Sequence, residues 1–148
     1  MGRRPAVLSN RARNNEIVAR GKRQEAMGKR GFKDLIVWQK AKELAITIYR
    51  ITSENKAFDK DFSLRDQMRR SSVSIASNLA EGDERDTDKE SIRFFYIAKG
   101  SLAEIRTQVE IAYSIQYITS DVFEILDSDC QHLGKMIGRL TQVRQGKN

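Results

Sequence analysis

The side chains that most often do chemistry are scarce in this chain and poorly spaced for it. There is one histidine, His132, and one cysteine, Cys130. A zinc site needs several such ligands. A di-metal site in a helical bundle needs inward Glu residues and Glu-x-x-His pairs, and no Glu stands three residues before His132. Helical spacing places His132 well away from the Leu126/Cys130/Leu133 face, which predicts a solvated imidazole. The same spacing puts Cys130 on that apolar face, where a thiol acts as a small core residue rather than a nucleophile. Ser71, Ser72, Ser74 and Ser77 lack a paired histidine, and no glycine-rich phosphate loop is present. The acidic run Glu81, Asp83, Glu84, Asp86, Asp88, Glu90 reads as a solvated connection that places carboxylates at a helix N-terminus, where they are favoured. The expectation is no catalysis, no metal and no cofactor.

Positive charge is the chemistry that remains. The 148 residues carry a formal net charge of +7, and residues 1–31 account for all of it: nine basic side chains (Arg3, Arg4, Arg11, Arg13, Arg20, Lys22, Arg23, Lys29, Arg30) against two acidic ones. Such a segment neutralises phosphates and releases condensed counterions, giving salt-sensitive, sequence-independent affinity. It has no interleaved aromatics to stack on bases. A second set lies further along: Arg65 and Arg69 one turn apart, with Arg70 turned about 100° from Arg69, and Lys99 and Arg106 sharing a side of a later helix. The alternative for these pairs is ordinary salt bridging, for instance with Asp66 or Glu81.

The elements that must carry these charges are helical. Residues 1–31 are poor in large apolar side chains and read as a flexible basic tail; Met27, near its end, is a second candidate start of translation. Residues 32–148 read as one domain of four helices. The first runs from about Asp34, a potential N-cap, to Ser53, with Val37, Trp38, Ala41, Leu44, Ala45, Ile48 and Ile51 inward. The second runs from about Ser63 to Ala80, with Leu64, Met68, Ser71, Ile75 and Leu79 on one face and Gly82 as its stop signal. The third opens at a Thr87-x-x-Glu90 capping box and reaches about Tyr117; the fourth opens at Ser120. Short connections favour antiparallel neighbours, so the fold class is an all-α, up-down-up-down four-helix bundle. Asn78, at the edge of the second helix's apolar face, is expected to make an interhelical hydrogen bond. The third helix has an extra stripe, Ile97, Ile111, Ile115 and Ile118. One helix of a monomeric bundle needs only one stripe, so these isoleucines are candidates for contact with another subunit. No apolar run approaches the length of a membrane span and one cysteine cannot form an internal disulfide; a cytoplasmic protein is the expectation.

Three blocks of this sequence carry a resemblance. Residues 32–45 (FKDLIVWQKAKELA), 67–82 (QMRRSSVSIASNLAEG) and 94–104 (FFYIAKGSLAE) resemble, in order, the conserved blocks of a four-helix-bundle family encoded in bacterial 23S rRNA intervening sequences, with Asn78, Glu81 and Gly82 in its central signature. The likeness spans roughly 32–142 and leaves out the tail. It implies a four-helix bundle assembling as a ring, typically a homopentamer, and a link to RNA biology. A relative, the accessory protein of diversity-generating retroelements, binds a reverse transcriptase and nucleic acid through a basic surface. This chain departs from that relative in having a charge-balanced bundle. The function expected is a non-catalytic homo-oligomer that binds RNA or an RNA-handling protein. The alternative is an oligomeric protein-interaction scaffold that binds no nucleic acid.

Overall fold

A computed structural model describes residues 31–146. Its four long helices are α1 (Ile36–Glu54), α2 (Phe62–Asp83), α3 (Asp88–Ser114) and α4 (Ser120–Arg144), with single 3-10 turns at Phe32–Asp34 and Lys56–Phe58. Each helix packs on its neighbour in sequence, and α1 closes against α4. The core between them holds Ile48, Met68, Ile75, Leu79, Phe95, Ile105, Leu126 and Ile137, all fully buried. Their three- and four-residue spacing is that of the apolar stripes in the sequence, so the fold class follows from periodicity alone.

Helix starts follow local chemistry. The side chains of Asp61, Thr87 and Thr119 each accept a hydrogen bond from a backbone N–H of the first turn, at Leu64, Glu90 and Val122, which satisfies donors the helix cannot. Asp34 does not cap α1 as expected: it ends the 3-10 turn, Leu35 occupies the cap position without a side-chain bond, and α1 begins at Ile36. That register lets Leu35 turn into the core.

The two ends of the bundle are tied by polar contacts between connections. At one end Asn55 donates through Nδ2 to the Tyr117 carbonyl, the Tyr117 hydroxyl donates to Asp61 Oδ2 at 2.9 Å, and the Phe58 and Tyr117 rings meet edge to face at 5.2 Å. The α1–α2 and α3–α4 links are thus held together. α3 stops three residues earlier than its pattern suggests. Gln116 takes a left-handed φ of 65°, while Tyr117 N–H donates to the Ala112 carbonyl and Gln116 N–H to that of Tyr113, a Schellman closure. The turn swings Ile118 inward, where it is 6% exposed and joins the core. Ile118 is therefore not part of an outer stripe.

At the other end, Arg144 Nη2 donates to Asp83 Oδ1 at 2.7 Å, with the two side chains only 6% and 2% exposed. Arg144 also reaches Ser91 Oγ at 3.5 Å, and its guanidinium lies 5.8 Å from the centroid of the Phe95 ring. The last turn of α4 is thereby fastened to the end of α2 and the start of α3. Burial pushes the Asp83 carboxyl above the ordinary carboxylate range, and Arg144 only partly offsets it. Gly82 beside it does not stop α2, which runs through to Asp83. The glycine is there for room: a Cβ would sit 2.7 Å from Phe95 Cε1 and 3.0 Å from Phe94 Cβ. Asn78 also differs from expectation. Its Nδ2 donates within α2, to the carbonyl and hydroxyl of Ser74, and the link to α3 is made by Ser74 Oγ with Ser101 Oγ at 2.9 Å.

Removing one partner of a buried ion pair strands the other charge, at a cost of about 3–5 kcal/mol, whereas replacing both with apolar groups of like volume is often neutral. Asp83→Ala is therefore expected to lower the unfolding free energy by about 3 kcal/mol or more. Asp83→Leu combined with Arg144→Met recovers most of that loss; chemical denaturation of the two variants checks the difference.

Candidate nucleic-acid interface

The expected tail cations, Arg3 to Arg30, lie outside the described residues. The arginines expected on the outer side of α2 are not a free cationic row. Arg69 reaches across to α1, where Nε donates to Thr52 Oγ1 at 2.9 Å and Nη2 to Ser53 Oγ at 3.0 Å, and its guanidinium lies 4.8 Å from the Tyr49 ring centroid. Arg65 pairs with Asp66 at 3.1 Å and stacks over Phe62 at 4.6 Å. Arg69 thus fastens α2 to α1, while Arg65 is engaged within α2. Arg70 is exposed and makes no hydrogen bond or ion pair among the described residues. Glu81 is taken up by Arg85 at 2.9 Å.

The seam between α3 and α4 does gather positive charge. Lys99 and Arg106 of α3 and Lys135 of α4 line a cleft of about 380 Å³ whose walls include Leu102, Ala103 and Gly134. Lys99 and Arg106 are two turns apart on one side of α3, as their spacing predicts. Lys135 was not expected there, because its partner helix and rotation are tertiary facts. Arg106 is the only one of the three cations with an ion-pair partner among the described residues, Asp127 at 3.5 Å.

Among the described residues, two apolar surfaces stand out as uncovered. Ile97, Ile111 and Ile115 stand out from α3, being 44%, 46% and 47% exposed. Sequence reasoning missed the second, a groove of about 630 Å³ between α1 and α2. Trp38, Ile46, Tyr49 and Val73 form its walls and Ala45 and Ala76 its floor, with Lys42 and Arg50 at its rim. The signal was present in Ile46, Tyr49 and Val73, which fall off the core stripes of their helices.

His132 is exposed beside Lys40, Glu43 and Asp129, and no cluster of three or more His, Cys, Asp or Glu could hold a metal among the described residues. Ser71 accepts from Gln108 at 3.1 Å and donates to Glu104 at 3.3 Å, so it ties α2 to α3. Cys130 is buried, and desolvation pushes its thiol up to about 12. No helix is long and apolar enough to cross a membrane among the described residues.

The family model of the 23S rRNA-intervening sequence protein matches residues 33–139. The chain belongs to that family. The match spans all four helices and ends within α4. A solved structure of similar shape is a protein of unknown function from the S23 ribosomal protein family of Bacteroides thetaiotaomicron. It is 23% identical, with a TM-score of 0.68 over 72% of this chain and 99% of its own. At that identity the likeness concerns the fold. No curated protein matches.

A thiol whose folded pKa is about 12 holds little thiolate at neutral pH, and the thiolate is the reactive form. Native protein at pH 8 should react with a thiol reagent far more slowly than the same chain in denaturant. A native rate equal to the denatured one means that Cys130 is exposed and ionised.

Proposed function

We propose that this member of the 23S rRNA-intervening sequence protein family is a non-catalytic, cytoplasmic homo-oligomer that binds RNA directly. The family's association with rRNA intervening sequences carries the reading. The concentration of nine cations in residues 1–31 supports it, since such a segment binds phosphates without reading bases. The tail and Arg70 supply contacts in this reading. An RNA-handling protein is a further candidate partner, and an oligomeric scaffold that binds no nucleic acid is the alternative, favoured by the apolar groove.

The two uncovered surfaces support self-assembly. The α3 ridge is convex and the α1–α2 groove concave. Glu104 lies between Ile97 and Ile111 on the ridge, while Lys42 and Arg50 border the groove. A second copy's ridge seated in the groove joins apolar to apolar and acid to base. That contact is head to tail, and such contacts close into rings when the rotation permits, which is the form expected of a pentamer.

Two measurements test these points. Binding of the full chain to a structured RNA should weaken steeply as salt rises, and a chain beginning at Met27, with seven fewer tail cations, should show a shallower dependence. An affinity insensitive to salt, or none at low salt, overturns the RNA reading and leaves the scaffold. Ile111→Asp should reduce the mass by light scattering to that of one chain while helicity is kept; an unchanged assembly removes the ridge from the interface.

A further inference from the structure

We infer that the α3–α4 cleft is a seat for the phosphodiester backbone of the RNA, the bundle's own contact beside the tail; this rests on the RNA reading above and gives it a place. Three surface depressions of the bundle differ in chemistry. The α1–α2 groove is almost wholly apolar. The α1–α4 cleft mixes signs, with Lys40 and His132 facing Glu43 and Asp129. The α3–α4 cleft is lined by three cations, Lys99, Arg106 and Lys135, and by no carboxylate; the α1–α2 groove also lacks a carboxylate but sets its two cations, Lys42 and Arg50, around aromatic and aliphatic side chains.

The state of these cations fits a ligand rather than a structural role. Lys99 and Lys135 are exposed and make no hydrogen bond or ion pair among the described residues. Arg106 touches Asp127 through Nη2 alone, at 3.5 Å, so most of its five donors are left for another acceptor. Gln131 also lines the cleft and donates to the other Asp127 oxygen at 2.8 Å. Asp127 therefore stands as the internal competitor that an incoming phosphate replaces at Arg106.

The backbone beside the cleft is bare. Gly134 lines it, and a Cβ there would meet only Leu102 Cδ2, at 3.3 Å. Gly138, one turn on along the same side of α4, has nothing within 4 Å of an added Cβ. A glycine inside a helix costs roughly 1 kcal/mol relative to alanine, and no neighbour explains that cost at Gly138. The two glycines keep the rim of the cleft low, so that a wide chain can lie along the seam within reach of cations from both helices. No aromatic ring lines the cleft, so it offers charge to phosphates and no stacking to bases; the contact is independent of sequence.

The test uses the full chain and a short RNA duplex, with affinity followed across a salt series. Lys99→Glu combined with Lys135→Glu should lower affinity about tenfold or more at low salt and reduce the log–log salt slope by about two. Lys56→Glu with Lys60→Glu makes the same change in net charge on the α1–α2 connection and serves as control. Asp127→Asn, which frees Arg106, should strengthen binding a few-fold. Circular dichroism confirms that each variant keeps its helices. If wild type binds and the cleft variant behaves as the control does, or if Asp127→Asn leaves affinity unchanged, the cleft is not the seat and the RNA reading survives without it. If wild type shows no affinity at low salt, the RNA reading fails and the cleft with it.

Discussion

A carboxylate and a guanidinium buried at one end of the bundle set the relation of three helices. Asp83 ends α2, Arg144 ends α4, and Ser91 and Phe95 beside them belong to the first turns of α3. Neither charge tolerates burial alone, so the three helix ends must arrive together or leave the pair unmade. Gly82, one residue before the acid, lets Phe95 close over the site. Hydrogen bonds and a ring contact do the corresponding work at the far end, where Tyr117 joins Asn55, Phe58 and Asp61. The apolar core drives the helices together, and these end contacts fix how they slide and rotate against each other.

Once the rotations are fixed, the seams between helices acquire different characters. The α2–α3 seam is lined by small and polar residues and closes tightly, with Ser71, Ser74, Ser101 and Gln108 joined by hydrogen bonds. The α1–α2 seam closes at its floor through alanines but leaves Trp38, Tyr49 and Val73 standing above it, which makes a groove. The α3–α4 seam leaves long cationic side chains around glycine backbone. One charge-balanced bundle thus presents an apolar surface and a cationic one in different places, because charge balance over a whole domain says nothing about its distribution.

The candidate nucleic-acid residues show how a count of charges misleads. Arg65, Arg69 and Arg70 look alike in sequence. Arg69 falls within reach of Thr52, Ser53 and Tyr49 of α1 and becomes a clamp; Arg65 lies against Asp66 and Phe62; only Arg70 is left exposed. Arg69's partners lie 16 or more positions away, where one sequence offers no sign of them, whereas Arg65's lie within three and Asp66 was legible as a salt-bridge partner. The isoleucines behave the same way. Ile97, Ile111 and Ile115 stay on the outside of α3, while the left-handed turn at Gln116 carries Ile118 into the core.

By itself the sequence determined the helices, most of their inward faces, the Thr87 cap, the burial of Cys130 and the concentration of charge in the first 31 residues. These depend on periodicity, local side-chain-to-backbone bonding and composition, all of which act over a few residues. The tertiary structure alone decided the Asp83–Arg144 pair, the purpose of Gly82, the bonding of Asn78 within its own helix, and the meeting of Lys99, Arg106 and Lys135 across one seam. Each of these depends on the rotation and axial shift of one helix against another. Periodicity names the face a helix buries but leaves open which neighbour's side chains it meets, and that is settled only when the whole core packs at once.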